Sequence, residues 1–166
     1  MEDSNDKSAV CPECGAEIGA DNDFCPDCGE IFEENVVCQR HPAATASGVC
    51  VVCSLPFCSE CGGRVQNRFL CYQHDSLEIF EGMARVYGSG DAAQVDFATS
   101  ALDTAGLHPF VFSRKASPIS MGAPEYTLFN PSGDYDGHFV NEFKLMVPCQ
   151  EVQSAEEKLR ELSLIG

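Results

Sequence analysis

Twelve side chains between residues 11 and 74 carry most of the chemistry this chain could do. They fall into six pairs, each spaced Cys-x-x-Cys or Cys-x-x-His: Cys11/Cys14, Cys25/Cys28, Cys38/His41, Cys50/Cys53, Cys58/Cys61 and Cys71/His74. Thiolate sulfur and imidazole nitrogen are the donors that tetrahedral zinc prefers, and two-residue spacing lets both members of a pair reach one ion. The alternative use of so many cysteines is disulfide bonding. The first residues, MEDSNDKSAV, are acidic and polar and lack the apolar core of a secretory signal. The chain is therefore expected to be soluble and cytoplasmic, where thiols stay reduced and metal is favoured over disulfides.

The first four cysteines sit in "CPECGAEIGADNDFCPDCG", residues 11–29, which contains the repeated unit CPECG and CPDCG. In each unit the proline sets φ before the turn, and the glycine after the second cysteine permits positive φ. The turn lets backbone N–H groups point at sulfur. Cys11, Cys14, Cys25 and Cys28 thus form a four-thiolate set suited to zinc, and the same ligands would also suit an iron site of rubredoxin type. This segment resembles the short zinc ribbons at the N-termini of many prokaryotic proteins.

The remaining eight donors give two further ions. Two groupings are open. Sequential pairing would join Cys38/His41 with Cys50/Cys53, and Cys58/Cys61 with Cys71/His74. Interleaved pairing would join Cys38/His41 with Cys58/Cys61, and Cys50/Cys53 with Cys71/His74. Only Ser-Leu-Pro-Phe separates Cys53 from Cys58. A hairpin there would set the two middle pairs side by side, facing different metals, and this favours interleaving. The pattern, with "CQRHP" at its start and "LPFCSEC" in its middle, resembles a B-box zinc finger, whose ligands interleave in this way. Many B-boxes end in two histidines, where this chain has Cys71 and His74. Three structural zinc ions per chain are expected in all. Each would have four protein donors and no open position of the kind a catalytic zinc keeps for water.

The elements that must position these donors are sparse. The segment from Cys11 to His74 is poor in aliphatic runs and rich in Pro and Gly, so it cannot fold on apolar burial alone. Beyond Ala84 the text changes character. "ARVYGSG" reads as a strand. "DAAQVDFATSALDTAG" reads as a helix capped by Ser89 or Asp91 and ended by Gly106, with Val95, Ala98, Leu102 and Ala105 on its apolar face. "LHPFVFSRK", "EYTLFN" and "EFKLMVP" read as strands. "CQEVQSAEEKLRELS" reads as a closing helix, with Val152, Ala155, Leu159 and Leu162 on one face.

This order predicts an α+β ferredoxin-like domain, two helices on one face of an antiparallel sheet. The opening "RVYGSGDAAQVDFATSALDTAGLHPFVF" and the closing "LMVPCQEVQSAEEKLREL" resemble a small prokaryotic signal-transducing, PII-like domain. That resemblance implies a fold and, as a second functional reading, small-ligand sensing. The predicted organisation is a disordered acidic tail (1–10), a zinc ribbon (11–34), a B-box-like double-zinc module (38–75), a linker (76–83) and the α+β domain (84–166).

Charge narrows the choice of partners. The formal net charge is −16, with eleven acids against one base in residues 1–37. Each four-thiolate zinc site would add about −2. Such a surface repels nucleic acid and anionic membrane. No stretch has the length and apolarity of a membrane span. Catalytic constellations are not apparent: "YGSGD" lacks the rest of a phosphate loop. Asp134 and Asp136 are read as a solvated turn. His108 and His138 are read as ordinary histidines. Cys149, near a helix start, is read as a small half-buried residue in preference to a reactive thiol. The expected function is a non-enzymatic zinc-binding adaptor with a protein partner. Small-ligand sensing is the alternative, and nucleic-acid binding through the ribbon ranks below it.

Overall fold

The structure is a computed structural model, and it describes residues 8–113, 134–135, 138–139 and 142–166. It divides into two compact units, Met1–Glu78 and Ile79–Gly166.

The first unit is built from short antiparallel hairpins. β1 (Ser8–Val10) pairs with β2 (Glu17–Gly19), β3 (Gly48–Val49) with β4 (Pro56–Phe57), and β5 (Gly62–Val65) with β6 (Arg68–Cys71). Single bridges, Phe24 with Ile31 and Val37 with Thr45, close two further loops. Strands of two to four residues cannot bury enough apolar surface to hold a fold. Nine of the ten cysteines of this unit are themselves part of its buried interior or half-buried. The few aliphatic and aromatic side chains that join them include Val49, Val51, Val52, Phe57, Phe69 and Leu70.

Phe69 is the organising apolar residue of this unit. Its backbone N–H donates to the Cys28 carbonyl at 2.9 Å, and its own carbonyl accepts from the Val51 N–H at 3.1 Å. Its ring lies so close to Gly48 and Gly62 that a Cβ at either position would sit 2.4 or 2.9 Å from a ring carbon. The Val49 N–H donates to the Gly29 carbonyl at 2.8 Å. Arg64 pairs with Glu30. These bonds join residues 11–34 to residues 38–75, so the expected ribbon and double-metal module form one body. Ser8–Val10, expected as the end of a disordered tail, instead forms β1; residues 1–7 lie outside the described residues.

The second unit is a four-stranded antiparallel sheet in the order β7-β8-β12-β9, with two helices. β7 is Ile79–Phe80, β8 is Met83–Ser89, α1 is Ala92–Thr104 and β9 is Phe110–Ser113. A small hairpin of β10 (Asp134–Tyr135) and β11 (His138–Phe139) precedes β12 (Phe143–Pro148) and α2 (Val152–Glu161). β12 lies between β8 and β9 and pairs antiparallel with both, so β8 and β9 run parallel with a strand inserted between them. Ala84, Val86, Leu145 and Val147 from the sheet are buried, as are Val95, Ala98 and Leu102 from α1 and Val152, Ala155 and Leu159 from α2.

The helix boundaries follow from their caps. Asp91 accepts the Ala93 N–H at 2.9 Å, and Ser89 Oγ accepts the Asp91 N–H. At the other end Gly106, at φ 80°, forms a Schellman turn in which the Leu107 N–H donates to the Leu102 carbonyl at 3.1 Å. This turn lifts Ala105 off the buried face, so it is exposed where the periodicity places it inside. The closing helix also starts later than expected. Cys149–Glu151 form a 3-10 turn with no side-chain cap, and α2 begins at Val152. Residues 76–83, expected as a linker, contribute β7, which turns back on β8 through Glu81 and Gly82. The expected strand "EYTLFN" lies outside the described residues.

Candidate metal centres

Three of the six donor pairs, Cys11/Cys14, Cys25/Cys28 and Cys50/Cys53, occupy a backbone turn of one recurring kind. In the first, the Cys11 N–H donates to the Ala16 carbonyl and the Gly15 N–H to the Cys11 carbonyl, both at 2.9 Å. Cys25 repeats this with Glu30 and Gly29, and Cys50 repeats it with Leu55 and Ser54. The residue after the second cysteine lies in the left-handed region each time: Gly15 at φ 75°, Gly29 at 78° and Ser54 at 56°. Glycine adopts that conformation without strain, whereas serine does so at a cost of about 1–2 kcal/mol. Ser54 is thus the same structural position as the two glycines of the CPECG and CPDCG repeat, filled by a less suited residue.

Gly29 has a second constraint. A Cβ there would lie 2.1 Å from the Val49 carbonyl oxygen and 2.9 Å from the Phe69 Cβ. The glycine is needed for the turn and also for the close approach of residues 11–34 to residues 38–75.

The donors converge in three groups: Cys11, Cys14, Cys25 and Cys28; Cys38, His41, Cys58 and Cys61; and Cys50, Cys53, Cys71 and His74. Within each group all four ligand atoms lie within 4.8 Å of one another. The last two groups interleave along the chain. The Ser-Leu-Pro-Phe hairpin works differently from expectation. Pro56–Phe57 folds back on Gly48–Val49, so the loop that reverses the chain is the Cys50–Leu55 turn itself.

The donor spacing can be compared with what an ion requires. Zinc–sulfur bonds of about 2.3 Å in a regular tetrahedron give sulfur–sulfur edges of about 3.8 Å. Cys11 Sγ and Cys28 Sγ are 3.7 Å apart, and Cys14 Sγ and Cys25 Sγ are 3.6 Å apart. With zinc–nitrogen bonds of about 2.0–2.1 Å, sulfur–nitrogen edges become about 3.5 Å. His41 Nδ1 lies 4.0, 3.4 and 3.4 Å from Cys38, Cys58 and Cys61 Sγ. His74 Nδ1 lies 3.5 Å from Cys50 Sγ and 3.2 Å from Cys71 Sγ. Both histidines present Nδ1. The residues therefore fit a small tetrahedral dication, and these separations are far beyond the roughly 2.05 Å of a disulfide.

The thiols of each group differ in acidity. Burial opposes ionisation of Cys11, yet backbone N–H groups of its turn and the neighbouring thiols of Cys14 and Cys28 outweigh it and lower it to about 7. Burial likewise works against Cys38, but hydrogen bonds led by the Cys58 backbone lower it to about 6. Cys50 is lowered to about 4, chiefly by a hydrogen bond from the Cys53 thiol. The partners move the other way. Burial raises Cys25, Cys28 and Cys71, and takes Cys61 up to about 11, while the hydrogen bond to Cys50 raises Cys53. Each group so holds one cysteine, Cys11, Cys38 or Cys50, whose thiol is eased toward ionisation. Four donors this close can all deprotonate only around a cation.

No known family model, curated protein or solved structure matches this chain.

The other residues singled out in the sequence lie in the second unit. Cys149 is buried at 1% exposure, and its N–H donates to the Gly82 carbonyl at 3.0 Å. It is more enclosed than a half-buried residue, and solvent does not reach it as a reactive thiol requires. His108 is exposed, with a structural partner that the sequence did not suggest: Glu151 accepts both its backbone N–H at 2.7 Å and its ring Nδ1 at 2.6 Å. This ties the α1–β9 loop to the start of α2. Asp134 lies in β10 and His138 in β11, whereas Asp136 is outside the described residues. Among the described residues, no helix is long and apolar enough to cross a membrane.

Sequence reasoning missed Phe69, Gly29's second role and Ser54. The first two depend on tertiary approach. Ser54 could have been found by extending the five-residue repeat to CVVCS.

Proposed function

We propose that the chain is a non-enzymatic zinc-binding adaptor that presents a rigid metal-stabilised unit to a protein partner in the cytoplasm. The observation that carries this reading is that each of the three donor groups supplies four protein ligand atoms within 4.8 Å of one another. A divalent ion held so has no coordination position left for water or substrate, which is the arrangement of structural zinc. Zinc supplies cross-linking there, and its binding free energy becomes folding free energy for a unit with little apolar core. We read residues 11–34 as a zinc ribbon and residues 38–75 as a cross-braced, B-box-like finger. The acidic surface favours a protein partner over nucleic acid.

Metal analysis of the purified chain is the first test, with three zinc ions per chain expected. Affinity capture is the second. Recovery of no protein partner, together with measurable turnover of some substrate, would sink the adaptor reading. A gel shift with salt-sensitive nucleic-acid binding at low micromolar concentration would move the function to the ribbon as a nucleic-acid contact.

A second reading, small-ligand sensing, is supported by the strand order of the second unit. We read this unit as a ferredoxin-like domain of PII-like type, in which β7 takes the place of the fourth strand. Thermal-shift screening with nucleotides and metabolites tests it, and a flat response across the panel counts against it.

A further inference from the structure

We propose that Cys14 is an oxidation site for hydroperoxides, with Cys25 as the thiolate that resolves it to a disulfide. The inference rests on reading the three donor groups as zinc centres. Of the eleven cysteines, Cys14 alone is exposed; Cys53 is half-buried and the other nine are buried. The centres differ in which donor meets solvent. In the Cys38 group it is the imidazole of His41, and in the Cys50 group Cys53 and His74 are both half-buried. Only the ribbon centre turns an exposed thiolate outward, and oxidation of cysteine follows thiolate character and exposure.

A cleft of about 470 Å³ opens onto this centre, with Cys14 and Cys28 in its lining beside Glu13, Asp27 and Arg68. Glu13 and Asp27 repel anionic reagents, including anionic disulfides, and leave a neutral hydroperoxide unhindered. Arg68 places a cation in the same cleft. The resolving sulfur is close, with Cys25 Sγ 3.6 Å from Cys14 Sγ.

The chemistry balances in two steps. The Cys14 thiolate attacks the terminal oxygen of the hydroperoxide, the O–O bond breaks, and alkoxide (hydroxide, for hydrogen peroxide) leaves with the electron pair. Cys14 becomes a sulfenic acid. The Cys25 thiolate then attacks the Cys14 sulfur, the S–O bond breaks and hydroxide leaves. Two thiolates have lost two electrons and one hydroperoxide has gained them. The centre has lost two of its four donors, and its zinc is released. Cys28 belongs to the same centre, and its carbonyl and that of Gly29 receive the Phe69 and Val49 N–H groups. Release of this one ion therefore loosens residues 11–34 from residues 38–75.

The test is to treat the full-length, zinc-loaded protein with one equivalent of hydrogen peroxide. Zinc release is followed with a chromogenic chelator and the linked cysteines are mapped by peptide mass spectrometry. One zinc per chain should leave about tenfold faster than the other two, with Cys14–Cys25 as the first linkage. A Cys14→His variant, which gives this centre the three-cysteine, one-histidine set of the other two, should slow the first release about tenfold. Equal release rates, a first linkage in another centre or an unchanged rate in Cys14→His would overturn the proposal. If that variant fails to fold, the linkage map of the wild-type chain still decides. A chain that carries no zinc would overturn the metal reading and this inference together. Three zincs that leave at one rate would overturn the inference alone.

Discussion

The two units solve the same problem by different means. In the second, α1 and α2 cover a four-stranded sheet with interdigitating Val, Leu and Ala side chains, and Leu102, Leu145 and Leu159 are all fully buried. In the first, cysteine makes up about half of the buried interior, and its longest strands have four residues. The apolar unit is stabilised by burial spread over many side chains. On the zinc reading proposed above, the cysteine unit would concentrate its stability in three small donor groups. The difference predicts how each should fail: the apolar unit by degrees, the cysteine unit in whole steps.

Metal removal should break the comparison most sharply. Binding of a structural zinc is worth about 10–16 kcal/mol at neutral pH, so a strong chelator should unfold residues 8–78. The Ile79–Gly166 unit should keep its own cooperative thermal transition. Amide hydrogen exchange read separately for the two units checks this, and equal loss of protection in both would contradict it.

Point changes among the ligands come next. Cys53→Ser and Cys58→Ser alter residues five positions apart, yet they should empty different centres. The first should free Cys50, Cys71 and His74, and the second Cys38, His41 and Cys61. Native mass spectrometry should show one fewer zinc in each case, and alkylation should label the two sets separately. Identical labelling patterns would mean that the donors do not interleave.

Leu102→Ala should cost the second unit about 2–5 kcal/mol by opening a cavity. It should leave the zinc count unchanged, as denaturant melts and metal analysis would reveal. Gly29→Ala should cost the first unit about 1–3 kcal/mol, because a methyl there meets the Val49 carbonyl. Its signature should be faster hydrogen exchange at the Val49 and Phe69 amides with all three zincs retained. The smallest expected effect has the opposite sign. Ser54→Gly and Ser163→Gly relieve left-handed serines at a metal turn and at the α2 C-terminus, where the Leu164 N–H donates to the Leu159 carbonyl. Each should stabilise its own unit by about 0.5 kcal/mol, the relief being partly offset by the added freedom of the unfolded chain. A thermal melt resolving the two units would show whether either serine is strained.

These expectations also mark what could be read from the sequence. Donor spacing is a local property, so the six pairs could be read without coordinates, whereas joining Cys38 and His41 to Cys58 and Cys61 was favoured over sequential pairing only by the short Ser-Leu-Pro-Phe segment and a resemblance. Helix caps are local too, and Asp91 and Gly106 sit where their residue types place them. The union of residues 11–34 with residues 38–75 was not legible. It rests on backbone bonds from Phe69 and Val49 to Cys28 and Gly29, and no side-chain pattern records which carbonyl an N–H will find. β7 escaped for a related reason. Two residues have no periodicity, and Ile79–Phe80 becomes a strand only because Glu81 and Gly82 turn it onto Met83 and Ala84. The late start of α2 reflects the uncapped turn at Cys149–Glu151, which gives the α-helical pattern no local anchor.

Interleaving has a consequence for the chain as it is made. Donors leave the ribosome in chain order, and the first four to emerge after the ribbon are Cys38, His41, Cys50 and Cys53. They are a complete tetrahedral set, and the wrong one. At roughly 5–20 residues per second the correct partners of Cys50 and Cys53 follow about 1–4 s later. A zinc ion captured in that interval would join donors that belong to two different centres, and it would have to be surrendered before Cys71 and His74 could close theirs. On the zinc reading, the order of synthesis would thus work against the final wiring, and maturation of this protein would be a matter of ligand exchange as much as of folding.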